Sequence, residues 1–189
     1  MSSGIHIGVD PDTQCTGIAA VQFDMNGKPR LYGAWVVKSE RALMAGIYAQ
    51  ACLSGRLDLG VYPAHVAIES QDLVYTAKQR ISPQSMIPLI QVTGAYLSSM
   101  MARWSTAEFK LVKPREWKGQ QPKKINQART FNKLGIEYKM MGGKDPYCVP
   151  TKFPLLDGME PWINVKNDGD WKHVSDAVGI ALWSLLNHK

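Results

Sequence analysis

Apolar and polar positions alternate from Ile5 to Asp10, a period of two that predicts a strand ending on a carboxylate. A second apolar run, Thr16 to Phe23 (TGIAAVQF), is followed by Asp24-Met-Asn-Gly27, a hairpin turn signal, and Leu31 to Val37 predicts a third strand. Three successive strands on short turns make an antiparallel meander. Ser39 reads as the N-cap of a helix from Glu40 to Leu53. His65 to Ser70 (HVAIES) predicts a short buried strand carrying Glu69 at its end, and the polar stretch Gln71 to Pro83 predicts a loop. Met86, Leu89, Ile90, Leu97, Met100, Met101 and Trp104 then recur at helical spacing, Phe109 to Val112 predicts a fifth strand, and Pro114 opens a basic segment.

Between Lys139 and Asp168 the periodicity disappears among Gly142-Gly143 and four prolines, so residues 139–169 are expected to form an irregular insertion loop. Trp171 to Asn187 is a helix by its apolar stripe of Val174, Ala177, Val178, Ala181, Leu182 and Leu185. This order of elements predicts an α/β fold with a five-stranded mixed sheet flanked by helices. At 189 residues the chain suits one domain, residues 1–189. No run approaches the roughly 18 apolar residues of a membrane span, and no signal-peptide pattern opens the chain, so a cytoplasmic protein is expected.

Composition alters this picture in two places. The three cysteines, Cys15, Cys52 and Cys148, form neither a CxxC pair nor a zinc-spaced cluster, which argues against zinc and against a disulfide framework. The net charge is +6, and the segment from Val112 to Lys133 carries as much by itself: Lys113, Arg115, Lys118, Lys123, Lys124, Arg129 and Lys133 against Glu116 alone. Phosphate-backbone binding requires such a strip, although a solvated helix face has the same composition.

Four residues carry candidate chemistry: Asp10 and Glu69 at strand ends, and His173 and Asp176, three apart on one face of the last helix. Each has an ordinary reading as a turn, cap or dipole-compensating residue. A Glu that finishes a buried strand, however, needs a partner. Carboxylates brought together from these positions repel, and divalent cations remove that conflict. Oxygen ligands favour Mg²⁺, with Mn²⁺ substituting, and two ions about 4 Å apart form the usual clamp for phosphodiester hydrolysis. Asp168 and Asp170 precede the same helix, and Asp170 is expected to be its N-cap.

The stretch Ile7-Gly-Val-Asp-Pro-Asp-Thr-Gln-Cys-Thr-Gly17 resembles the first motif of RuvC-type Holliday junction resolvases. Val66-Ala-Ile-Glu-Ser-Gln71 is similar to that family's second motif, and His173-Val-Ser-Asp176-Ala-Val-Gly-Ile-Ala-Leu resembles its last. Gln91-Val-Thr-Gly94 and the run from Pro114 to Lys124 resemble segments between the motifs, and the order is that of the family over nearly the whole chain. The resemblance implies a ribonuclease H-like fold and a homodimer that cuts branched DNA, leaving a 5′-phosphate and a 3′-hydroxyl. It implies a site of two Mg²⁺ or Mn²⁺ ions: Asp10 bridging both, Glu69 and Asp176 each holding one, and His173 adding a nitrogen ligand or helping to activate water. It implies DNA contacts from Lys113, Arg115, Lys118, Lys123 and Lys124, and a side chain such as Leu73 or Tyr75 probing the junction centre.

The sequence also departs from the family. Asp12 stands where the family has Gly, beside the site, and is expected to face solvent; the insertion at 139–169 has no counterpart. Trp117, among the basic residues, is expected to pack under the loop rather than stack on a base. The stripe from Met86 to Trp104 is read as core or dimer interface. Rival functions are an RNA-processing nuclease with the same site, an actin-like ATPase, and a non-catalytic binder of branched DNA. The chain is too short for the two ATP-clasping lobes, and the intact acidic set speaks against a mere binder.

Overall fold

The structure, a computed structural model, describes residues 4–38, 62–70 and 83–188. The helix expected from Glu40 to Leu53, most of the loop after Gln71, Leu73, Tyr75 and Cys52 lie outside the described residues. Strands β1 (Ile5–Asp10), β2 (Cys15–Phe23) and β3 (Pro29–Lys38) form the antiparallel meander. Strand β4 (Pro63–Glu69) pairs in parallel with β1, helix α1 (Pro83–Arg103) follows, and β5 (Glu108–Val112) adds in parallel beside β4. Then come α2 (Pro114–Trp117) and α3 (Lys123–Leu134), which ends on Gly135 at φ 72°, the left-handed geometry a helix C-cap asks of glycine.

The segment expected to be irregular holds regular structure. Strand β6 (Glu137–Met141) and strand β7 (Tyr147–Lys152) pair as a separate two-stranded hairpin, and β8 (Trp162–Asn164) joins β3 in parallel. The main sheet therefore has six strands where five were expected, in the order β5-β4-β1-β2-β3-β8. A short 3₁₀ turn (Asp168–Asp170) leads straight into α4 (Trp171–Asn187). Asp170 stands at the N-cap position of α4, as expected, but without a capping side chain. Its backbone is already helical (φ −71°, ψ −23°), it makes no side-chain capping bond, and its carboxylate pairs with Lys38 Nζ at 2.8 Å.

Alternation along β1 and β4 separates two cores. Ile5, Ile7 and Val9 with Val66 and Ile68 face Val92, Tyr96 and Met100 of α1, all buried. The opposite face carries His6, Gly8 and Asp10 on β1 and His65, Ala67 and Glu69 on β4. Helix α4 covers it, and its own buried stripe packs with α3 and β7 in the second core. Small residues let the helix lie close. A Cβ on Gly8 would meet the Ala177 carbonyl oxygen at 2.2 Å, and one on Gly17 would meet the His173 carbonyl at 2.5 Å. Since His6 bonds Ser184 while Gly17, paired with Asp10, meets His173, α4 runs antiparallel to β1. One end of this face thus gathers Asp10, Glu69, His173 and Asp176; the other gathers His6, His65 and His188.

Candidate active site

The parallel register aligns Val9 with Ile68, so Asp10 and Glu69 leave adjacent strand ends side by side. Asp176 enters from the first turns of α4, 5% exposed, while Glu69 is 7% exposed. Asp10 keeps a partly accessible edge, but the protein crowded around it drives its carboxyl well above the usual range, and Asp176 and Glu69 push it the same way. Lys123 and Lys118 oppose that shift. Glu69 is likewise raised, chiefly by burial, against the pull of Lys118 and of a hydrogen bond from Trp117. The three acids are therefore close enough to feel one another.

Each acid outside Asp10 has its own support. Trp117 Nε1 donates to Glu69 Oε2 at 2.7 Å. Gln127 Nε2 donates to Asp176 Oδ1 at 2.8 Å, while Gln127 Oε1 accepts from the Cys148 backbone N–H at 3.0 Å, tying α3, β7 and α4 together. Lys123 Nζ lies 2.5 Å from Asp176 Oδ2. Sequence reasoning missed Gln127 altogether and the roles of Trp117 and Lys123. Trp117 is buried, as expected, yet it is also a donor to the site.

His173 is half-buried, and burial holds its imidazole below the ordinary value although Asp12 pulls it upward. Asp12 itself shapes the turn: its Oδ1 accepts from the Gln14 N–H at 3.0 Å, and its backbone carbonyl and N–H both bond Thr16 Oγ1. Of the strip residues, Lys118 lies over the Trp117 ring at 5.0 Å, while Arg115 and Lys124 are exposed and Lys113 is half-buried. Behind Trp117 opens a groove of about 660 Å³ lined by Lys118, Arg129, Lys133 and Trp183 among others. Tyr75 lies outside the described residues. Cys15 and Cys148 are free thiols, and no described helix is long and apolar enough to cross a membrane.

The donor set fits hard divalent ions. Three carboxylates share a poorly solvated corner, Asp176 and Glu69 raise the cost of ionising Asp10, and two ammonium groups already lean in to offset that charge. Elsewhere among the described residues, His65, Glu108 and His188 bring possible ligand atoms within 4.8 Å of one another.

No family model and no curated protein matches this sequence. Solved structures do match. Thermus thermophilus RuvC superimposes with a TM-score of 0.60 at 20% identity, covering 95% of this chain and 92% of that one. RuvC from T. thermophilus in complex with a Holliday junction substrate gives a TM-score of 0.58 at 19% identity over 95% and 91% of the two chains. The chain has the fold of RuvC, a ribonuclease H-like mixed sheet flanked by helices.

Proposed function

We propose that the protein is a metal-dependent endonuclease of the RuvC type that cuts four-way junctions or other branched DNA. The observation that carries this reading is the grouping of Asp10, Glu69 and Asp176 at one end of a RuvC-like sheet, with Lys118 and Lys123 beside them. Asp10, Glu69, Asp176 and His173 would hold two Mg²⁺ or Mn²⁺ ions. Bound there, the ions would offset phosphate charge and lower the pKa of a water. Asp10, crowded by two acids, is the ligand whose ionised form gains most from a cation. Trp117 and Gln127 hold the Glu69 and Asp176 carboxylates in fixed orientations, and such outer hydrogen bonds commonly set ligand basicity. His173, kept neutral by burial, offers a ring nitrogen to an ion or to the attacking water.

Lys113, Arg115, Lys118 and Lys124, with Arg129 and Lys133 along the groove beside Trp117, supply the charge that would seat phosphates next to the acids. Cutting two strands of a junction in concert calls for two sites, and α1 offers a face for a second copy. Its Val92, Tyr96 and Met100 point into the core, while Ile87, Ile90 and Met101 are exposed. A homodimer through this face is part of the proposal.

The test is a cleavage panel of duplex, flap, three-way, four-way and RNA–DNA hybrid substrates in Mg²⁺, Mn²⁺ or chelator. Cutting of branched DNA that needs the metal, with 5′-phosphate and 3′-hydroxyl ends, is expected. Undiminished cutting in excess chelator would sink the metal reading, and preference for the hybrid would move the substrate to RNA.

A further inference from the structure

Three of the four histidines in the chain lie together, far from the proposed active site. His6 is the second residue of β1 and His65 the third of β4, each four residues before the acid that closes its strand, so about 13 Å of strand separates the two ends. Glu108 is the first residue of β5, paired with His65 in the parallel register. His188 follows the last turn of α4. Strand register and helix length therefore assemble the cluster from four separate elements.

We infer that His65, Glu108 and His188 form a second metal site, for a late first-row divalent ion such as Zn²⁺, at the end of the sheet opposite the carboxylates. One ligand atom from each lies within 4.8 Å of the others. The two Glu108 oxygens divide between the imidazoles: Oε2 is 3.3 Å from His65 Nδ1, and Oε1 is 3.9 Å from His188 Nδ1. His65 Nδ1 has no exposed surface and no hydrogen bond, although a carboxylate oxygen stands nearby. A buried polar atom left that way is costly, and a cation between the two groups would satisfy both.

The surroundings hold the imidazoles in place. His6 stacks on His65 with ring centroids 4.5 Å apart, His65 lies 4.7 Å from His188, and His6 Nδ1 bonds Ser184 Oγ at 3.0 Å. Two imidazoles and one carboxylate select Zn²⁺, Ni²⁺, Co²⁺ or Cu²⁺ over Mg²⁺, which prefers all-oxygen shells. The Glu108 side chain is 60% exposed, leaving the outer side of the cluster open to a water ligand. An ion here would fasten the end of α4 to β4 and β5. It would act on stability, since the reacting phosphate would lie at the other end of the sheet.

The experiment uses untagged protein stripped with chelator, with Zn²⁺ alone followed by thermal melting and Co²⁺ alone followed by visible absorption. Zn²⁺ at about a hundredfold above its Kd should raise the wild-type Tm by about 5 °C. Mg²⁺ should not reproduce that rise. Asp10→Asn, which disables the other site, should keep both the shift and the Co²⁺ band. His188→Ala and, on the exposed strand start, Glu108→Gln should each lose them, and the second reads the same result should the first fail to fold. No Zn²⁺ shift in wild type, or a shift that persists in Glu108→Gln and His188→Ala or vanishes in Asp10→Asn, overturns the site.

Discussion

The indole of Trp117 donates a 2.7 Å hydrogen bond to Glu69, and Gly179 of α4 is what lets the ring sit there. A Cβ at residue 179 would come within 2.6 Å of the indole. Helix α4, the short helix α2 and strand β4 are thereby locked into one arrangement at the acid.

Trp117→Phe keeps most of the buried ring and removes the donor. Glu69 would lose its fixed orientation, and loss of such an outer-shell partner typically lowers metal affinity or activity by about 10–100-fold. Gly179→Ala should show the same direction by pushing the ring aside. The check is junction cleavage against Mg²⁺ concentration, with circular dichroism to show that the fold persists. Wild-type rates in both variants would remove Trp117 from the mechanism.

Asp10→Asn should abolish cutting and leave DNA binding largely intact. It should also stabilise the metal-free protein, because burial and the charges of Asp176 and Glu69 already disfavour the ionised Asp10 carboxylate. Removing that charge relieves the conflict by about 1–2 kcal/mol in order of magnitude. Urea denaturation in chelator reads the gain, and Mg²⁺ should narrow or reverse it, since the wild type alone keeps the full ligand set. A variant less stable than wild type in chelator would count against strain in the acid cluster. Glu69→Gln should likewise abolish cleavage.

Lys123 and Lys124, adjacent in sequence, should behave differently. Lys124 is exposed, whereas Lys123 pairs with Asp176. Lys124→Ala should weaken junction binding uniformly and reduce the slope of log K against log salt by about 1. Lys123→Ala should change the metal dependence of cleavage as well, because it frees a ligand oxygen. Binding titrations from low to moderate salt, run beside cleavage assays, separate the two effects. Identical profiles for the two variants would contradict the pairing.

The sequence made the acidic end of the fold legible because its constraints are local. Asp10 finishes a strand of alternating pattern and Glu69 a short apolar run, and His173 and Asp176 share one turn of a helix whose bounds the apolar stripe marks. What supports them was not legible. Trp117, Gln127 and Lys123 reach the acids across 48, 49 and 53 positions of chain, a pairing that only the folded register creates. Strands β6 and β7 escaped notice for another reason. The hairpin is a marginal two-stranded sheet whose β6 leaves three of five residues exposed, so no alternation is needed, and β7 contains Pro150. Strand β8 has three residues, too few to show a period.

Stability should fall on acidification through the histidine cluster, independently of the carboxylates. Burial, with His65 and His188 as neighbours, pushes His6 down to about 4, and His65 is lowered as well. The direction follows from proton counting. Between about 4 and the unfolded value near 6.5, the unfolded chain binds a proton at His6 that the folded chain refuses, so stability rises with pH across that window. Above 6.5 both states are neutral and the contribution is flat. Below about 4 both are protonated, and the whole loss, on the order of 3 kcal/mol, has been incurred. His6 is 3% exposed, so solvent relieves little of it. Urea midpoints measured in chelator at pH 7.5, 6 and 5 should decline for wild type. In His6→Gln the decline should be shallower over the same interval, because an amide keeps a polar partner for Ser184 without titrating. Equal slopes in the two proteins would mean that the acid sensitivity arises elsewhere.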